Sequence, residues 1–169
     1  AVSDPGAVVV RCVADAGFKV VPVPGASSVL AVVAGSGLVE GGFTFRGFLP
    51  AKGKSRQDDL KKWLACPEPQ VIFEAPHRVM QLVDELEALG AGDRDMCAGR
   101  ELTKQFETFY RGRGEQVFER IRQDPNSERG EWAWVVAGSP VSASDAEAAQ
   151  ASADLDTWLG LLMAELPLK

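Results

Sequence analysis

The chain has 169 residues, 46% of them hydrophobic and 25% charged, which is enough apolar side chain for a packed core and excludes a compositionally disordered protein. No apolar run reaches the roughly 18 residues of a membrane span. The first six residues lack the basic and apolar regions of a signal peptide, so a cytoplasmic location is expected. The net charge of −6 excludes a uniformly basic nucleic-acid coat; the acidic excess gathers in residues 114–169, with 10 acidic and 4 basic groups, and the middle keeps basic clusters where a polyanion can dock.

Helical and strand patterns alternate along the chain. Residues 7–16 read as a short helix stopped by Gly17, and the β-branched run 19–23 as a strand. Small apolar residues at 27–36 suggest a tightly packed helix. Alternation over 43–48 predicts a half-buried strand, and Leu60 and Leu64 mark one face of a helix over 55–65. There follow a strand at 70–73, a helix over 78–89 ended by Gly90, strands at 96–99 and 107–110, a helix over 116–122 and a strand at 131–137. Residues 139–153, rich in Ser, Ala and acid, read as a linker, and Leu155, Leu159, Leu162 and Leu166 share one face of a last helix. The alternation predicts an α/β domain over 1–138, with a mixed, largely parallel sheet of about five strands and helices on both faces.

In such sheets ligands gather beyond the carboxyl ends of the strands. Four segments there hold the unusual residues. Pro24-Gly25-Ala26-Ser27-Ser28 offers either free N–H groups to a ligand or a serine helix cap. Gly47-Phe48-Leu49-Pro50 leads to Lys52, Lys54 and Arg56; five residues separate Gly47 from Gly53, one more than a phosphate loop requires, so these cations read as a solvated loop or a phosphate-backbone contact. Glu74, His77 and Arg78 surround a proline at a helix start and read either as an acid/base group or as a salt-bridged cap. Arg100, Glu101, Thr103 and Lys104 crowd together, with Glu107, Arg111 and Arg113 close behind. Cys12, Cys66 and Cys97 have no CxxC spacing and His77 is the single histidine, so neither a metal site nor a disulfide framework is expected.

Taken together, Ser3-Asp4-Pro5-Gly6, Val21-Pro22-Val23-Pro24-Gly25-Ala26-Ser27, Gly47-Phe48-Leu49-Pro50-Ala51-Lys52, Phe73-Glu74-Ala75-Pro76-His77-Arg78 and Arg100-Glu101-Leu102-Thr103-Lys104-Gln105-Phe106-Glu107 occur in an order that resembles one family. It is the ribosomal RNA small-subunit methyltransferases that act on the ribose 2′-oxygen of cytidine 1402 in 16S rRNA, within the tetrapyrrole-methylase-like (class III) group. The resemblance covers nearly the whole chain. It implies the second domain of such an enzyme, a separate N-terminal domain, S-adenosylmethionine as methyl donor, 16S rRNA as partner and a homodimer.

It also implies residue roles. Ala26, Ser27, Ser28, Glu74, Ala75, Leu102 and Thr103 would approach the donor. Glu101 and Lys104, and after them Glu74 and His77, are candidates for proton removal. Lys52, Lys54, Arg56, Arg78, Arg100, Glu107 and Arg111 would hold the substrate. Gly99 stands where the family leads one to expect Ala. Two rivals are a methylase of a tetrapyrrole ring, disfavoured by the Arg-Glu-Leu-Thr-Lys segment, and a non-catalytic binding or dimerisation module.

Overall fold

A computed structural model describes residues 3 and 5–140, and those up to Ser139 belong to one compact unit. In chain order the elements are α1 (Gly6–Asp15), α2 (Ser28–Ser36), β1 (Thr44–Phe48), α3 (Lys54–Leu64), β2 (Gln70–Glu74), a 3₁₀ turn (Pro76–Arg78) running into α4 (Val79–Ala88), a second 3₁₀ turn (Ala91–Asp93), β3 (Asp95–Arg100), β4 (Thr108–Arg113), α5 (Gly114–Gln123) and β5 (Trp132–Val136). The expected linker, from residue 141 on, and the expected last helix lie outside the described residues.

The five strands form one sheet in the order β1-β2-β5-β3-β4. The expectation of a largely parallel sheet is corrected. β1 and β2 pair parallel, across the α3 crossover, but β2–β5, β3–β5 and β3–β4 are antiparallel. The reason is connection length: residues 101–107 join β3 to β4 and are too few for a parallel crossover, which needs about a dozen residues or more. β5 then inserts against the grain between β2 and β3, which run in the same direction.

Strand alternation divides the core in two. Ile72, Ala98, Trp132 and Trp134 face α3, α4 and α5, where Leu60, Trp63, Leu82, Leu86, Phe118 and Ile121 close the larger cluster. Val71, Cys97, Ala133 and Val135 face α2, packing on Val32 and Val29. Helices thus cover both faces, as expected. Gly35 in α2 allows a close approach, because a Cβ there would sit 2.6 Å from the Phe109 ring.

The run 19–23 is not a strand: it is irregular, exposed and paired with no strand among the described residues. Its β-branched pattern has no neighbour in this unit to satisfy it. α1 likewise buries no residue, with Val8 68% and Val9 64% exposed, and no residue of 6–26 joins either core cluster. Among the described residues no helix is long and apolar enough to cross a membrane, and no group of three or more His, Cys, Asp or Glu could hold a metal ion.

Candidate functional site

A cavity of about 430 Å³ opens at the carboxyl ends of β1 and β2, beside the start of β5. Phe73, Leu102, Trp132 and Ala133 give it an apolar floor, and Ser28, Ala75 and Glu131 add polar groups at its edge. Ser28 begins α2, and the preceding Ser27 caps the helix, its side-chain oxygen accepting from the Leu30 N–H at 3.4 Å. The cap reading of that segment therefore holds for Ser27, while Ser28 faces the cavity. Ala26 is exposed outside it.

Glu74 ends β2 and is completely buried. One carboxylate oxygen lies 2.8 Å from the Arg56 guanidinium; the other accepts from Arg78 Nε at 2.8 Å and from the Ala75 N–H at 2.9 Å. Arg56 itself is buried, donating also to Glu85 at 2.7 Å and to the Pro50 carbonyl at 3.1 Å. This corrects the reading of Arg56 as part of a solvated basic loop. Lys52 and Lys54 are exposed as expected, but Arg56 turns inward, where it holds the Glu74 oxygen that Arg78 leaves open. Glu74 lines the cavity itself, as its place among the donor-contact candidates requires; Arg56 and Arg78 hold its two oxygens, and it anchors the Ala75 backbone beside it. Arg78 is held in the same network, and His77 is exposed on the adjoining turn, outside the cavity lining.

The segment after β3 is tightly wound. Glu101 and Thr103 take left-handed backbone angles, φ 51° and 66°, costing on the order of 1–3 kcal/mol each unless the surroundings fix them. The surroundings do. The Glu101 N–H donates to the Glu131 carbonyl at 2.9 Å, and the Thr103 N–H to the Glu107 carboxylate at 2.7 Å. Lys104 Nζ donates to Glu101 Oε1 at 2.8 Å and to Glu131 Oε2 at 3.0 Å. The Lys104 hydrogen bond holds the Glu101 carboxyl below its ordinary range, and the Glu101 and Glu131 carboxylates hold the Lys104 ammonium above its own. The pair is therefore charged at neutral pH. Gly130 makes room for it, since a Cβ there would fall 2.5 Å from Glu101 Cγ. Gly99 does the same for Leu102, whose Cδ2 would stand 2.7 Å from an added methyl.

The remaining candidates are spread more widely. Arg100 is mostly buried, reaching Thr108 at 3.4 Å and Asp124 at 3.6 Å, which makes it a brace across β3 and β4. Arg111 lies over the Phe109 ring at 4.1 Å and donates to the Gly35 carbonyl. Glu107 and Thr103 serve the loop, outside the cavity lining. The sequence reading missed Phe48, Phe73, Glu131 and Trp132 as lining residues. The first two stood inside quoted motifs, but β5 is neither next to β2 nor next to β3 in sequence, so no local signal brings Glu131 and Trp132 to this edge.

The fold is an α/β methylase-type domain with its cavity at the strand ends, and the comparisons with known proteins name the family. The model of the tetrapyrrole (corrin/porphyrin) methylases matches residues 1–117. The chain belongs to that family. It is 39% identical over 169 residues to a ribosomal RNA small subunit methyltransferase I of Neisseria meningitidis serogroup B, covering 100% of this chain and 56% of that protein. Against the protein of the same name from Haemophilus influenzae it is 34% identical over 168 residues, covering 99% and 58%. The chain thus spans a little over half the length of these relatives. A crystal structure of the methyltransferase CobJ superposes with a TM-score of 0.53 at 14% identity, covering 80% of this chain and 61% of that one, a likeness of fold.

Proposed function

We propose that this chain forms one side of the methyl-donor cleft of an S-adenosylmethionine-dependent methyltransferase acting on the ribose 2′-hydroxyl of 16S rRNA, at cytidine 1402. The observation that carries the reading is that one cavity is lined jointly by Ser28, Ala75 and Leu102, from three separate segments that the family resemblance singles out for donor contact. Relatives named for small-subunit rRNA, at 34–39% identity, support the choice of substrate.

The cavity suits the donor. Its volume lies in the usual range for small-molecule sites, and an apolar floor with a few polar groups matches a nucleoside joined to a thioether chain. When bound, S-adenosylmethionine supplies a methyl group on a sulfonium centre. The chain's residues do the rest. Phe73, Leu102 and Trp132 exclude water, and Ala75, fixed by Glu74, shapes one wall. Lys104 is held as an ammonium and is not the base. Glu101 lies next to the cavity-lining Leu102 but outside the lining itself; its Oε1 already accepts from Lys104 and from the Glu131 N–H, which leaves Oε2 as the atom that would take the ribose proton. Lys52, Lys54 and Arg111 hold phosphates; Arg56 is consumed by the core.

The same reading carries a preceding domain and a homodimer. The exposed apolar side chains of α1 and of Phe18, Val21 and Val23 form a surface of the kind that a neighbour covers. The test uses the protein at its full encoded length, with methyl-labelled S-adenosylmethionine offered to small ribosomal subunits and to uroporphyrinogen III. Label in 16S rRNA supports the reading; label in the tetrapyrrole alone decides for the ring methylase, and label in neither leaves a binding module.

A further inference from the structure

The β1 edge carries a feature that the donor cleft alone does not explain. Phe45 pairs with Val71 and Gly47 with Ile72, leaving Arg46 as an extra residue in β1. Gly47, at φ 72°, supplies the left-handed angle of this bulge. The consequence is a change of face. Phe45 and Phe48 are three apart and would otherwise point to opposite sides of the sheet, but the bulge sets them against Val71 and Phe73, two apart on β2.

Three rings therefore line up on one face. The Phe45 and Phe73 centroids are 4.9 Å apart and those of Phe73 and Phe48 are 5.4 Å apart, both steeply inclined. The first two rings are partly buried against the α2 side, while Phe48 is 52% exposed. It lines both the 430 Å³ cavity and a second of about 260 Å³, whose charged residues are Arg46, Lys62 and Asp59, a net positive set. A bulge that spends a ladder position to bring an aromatic ring out over a cavity, with cations beside it, is suited to a flat π-system carried on an anionic or charged backbone.

We infer that Phe48 is a stacking platform for a nucleobase at the mouth of the cavity, either the adenine of the donor or a base of the RNA. The inference rests on the proposed function and adds a recognition element to it. Stacking differs from plain apolar contact because it needs a ring, so an aromatic replacement preserves it and an aliphatic one does not.

The experiment compares Phe48→Ala, Phe48→Leu and Phe48→Trp in the protein at full encoded length. S-adenosylhomocysteine affinity is read by calorimetry and KM for small ribosomal subunits by methyl transfer; melting curves check the fold. Phe48→Ala and Phe48→Leu should weaken one of these two constants on the order of tenfold or more, while Phe48→Trp stays near wild type. A changed donor affinity assigns the stacked base to adenine, and a changed KM to the RNA. Wild-type values for Phe48→Leu in both measurements, with methyl transfer intact, would overturn the inference and leave the function standing. Absence of both donor binding and transfer in the wild type would overturn both.

Discussion

Arg56 and Glu74 meet at 2.8 Å with side chains 1% and 0% exposed, joining the first turn of α3 to the end of β2 beneath the cavity. Each has a second partner, Glu85 for Arg56 and Arg78 for Glu74. The pair pins the Ala75 wall, and the cavity edge, which Glu74 itself helps to line, depends on a buried charge network.

Removing one partner of a buried pair costs about 3–5 kcal/mol, and here the second partners place the loss at the lower end. Arg56→Met should therefore destabilise the protein by about 3 kcal/mol in urea unfolding. The double change Arg56→Met with Glu74→Leu should cost less than the two single changes added, because no buried charge is then stranded in the Arg56 half of the network. Additive costs would show that the two groups are not coupled.

The Glu101–Lys104 pair has a defined pH window. The Glu101 carboxyl is lowered from 4.5, so its contribution is full above that value and fades as pH falls through its folded value. The Lys104 ammonium is raised from 10.5, so its contribution is full below that value and fades at higher pH. Glu101→Gln should lower the melting temperature at pH 7 by a margin that shrinks on acidification below about pH 4. At pH 7 the same variant should reduce methyl-transfer turnover more than donor affinity; unchanged single-turnover rates would remove Glu101 from its assigned role.

Gly130 is a steric test of the same cluster. Gly130→Ala forces a Cβ into Glu101 and a side chain into a φ of 74°, with an expected cost of about 1–3 kcal/mol. Turnover should fall with it, as Glu101 and its hydrogen bond to the Glu131 N–H are displaced together. Equilibrium unfolding and single-turnover kinetics read the two effects separately.

Two of the three thiols should report burial directly. Cys97 lies in the core with its pKa pushed up to about 11 by burial, while Cys12 is exposed. At pH 7.5 a disulfide reagent should label Cys12 rapidly in the folded 169-residue chain taken by itself, where α1 is uncovered, and Cys97 only after unfolding. Fast labelling of Cys97 in the native state would contradict the packing of β3 against α2.

Most elements were legible because their signals are local. Leu60 and Leu64 announce α3, Gly90 follows the end of α4 with φ 75°, and Ser27 caps α2 as a serine in that position should. What the chain did not reveal is set by tertiary partners. Nothing near Arg56 distinguishes it from Lys52 and Lys54; only the end of β2, eighteen positions away, draws it inside. The run 19–23 has strand composition, yet a strand needs a neighbour, and this unit offers none. The antiparallel β4 and β5 were hidden for a similar reason, because alternation predicts crossovers while loop length and strand insertion decide direction. Around the site, Glu101 and Lys104 stood out as functional groups flanking Leu102, which alone of the three lines the cavity, whereas Trp132 and Glu131 reach the cavity only because β5 lies between β2 and β3.

The central claim is that the cavity beside Ala75 holds the methyl donor, and calorimetric titration of S-adenosylhomocysteine into the wild type and Ala75→Trp at full encoded length tests it most directly. Ala75 lines the cavity with φ −72° and ψ 142°, an extended backbone that tryptophan also adopts, so the substitution fills the cavity while the fold is retained. The account predicts binding by the wild type and its loss, by a hundredfold or more, in a variant that melts normally. Equal affinity in the two proteins would contradict it.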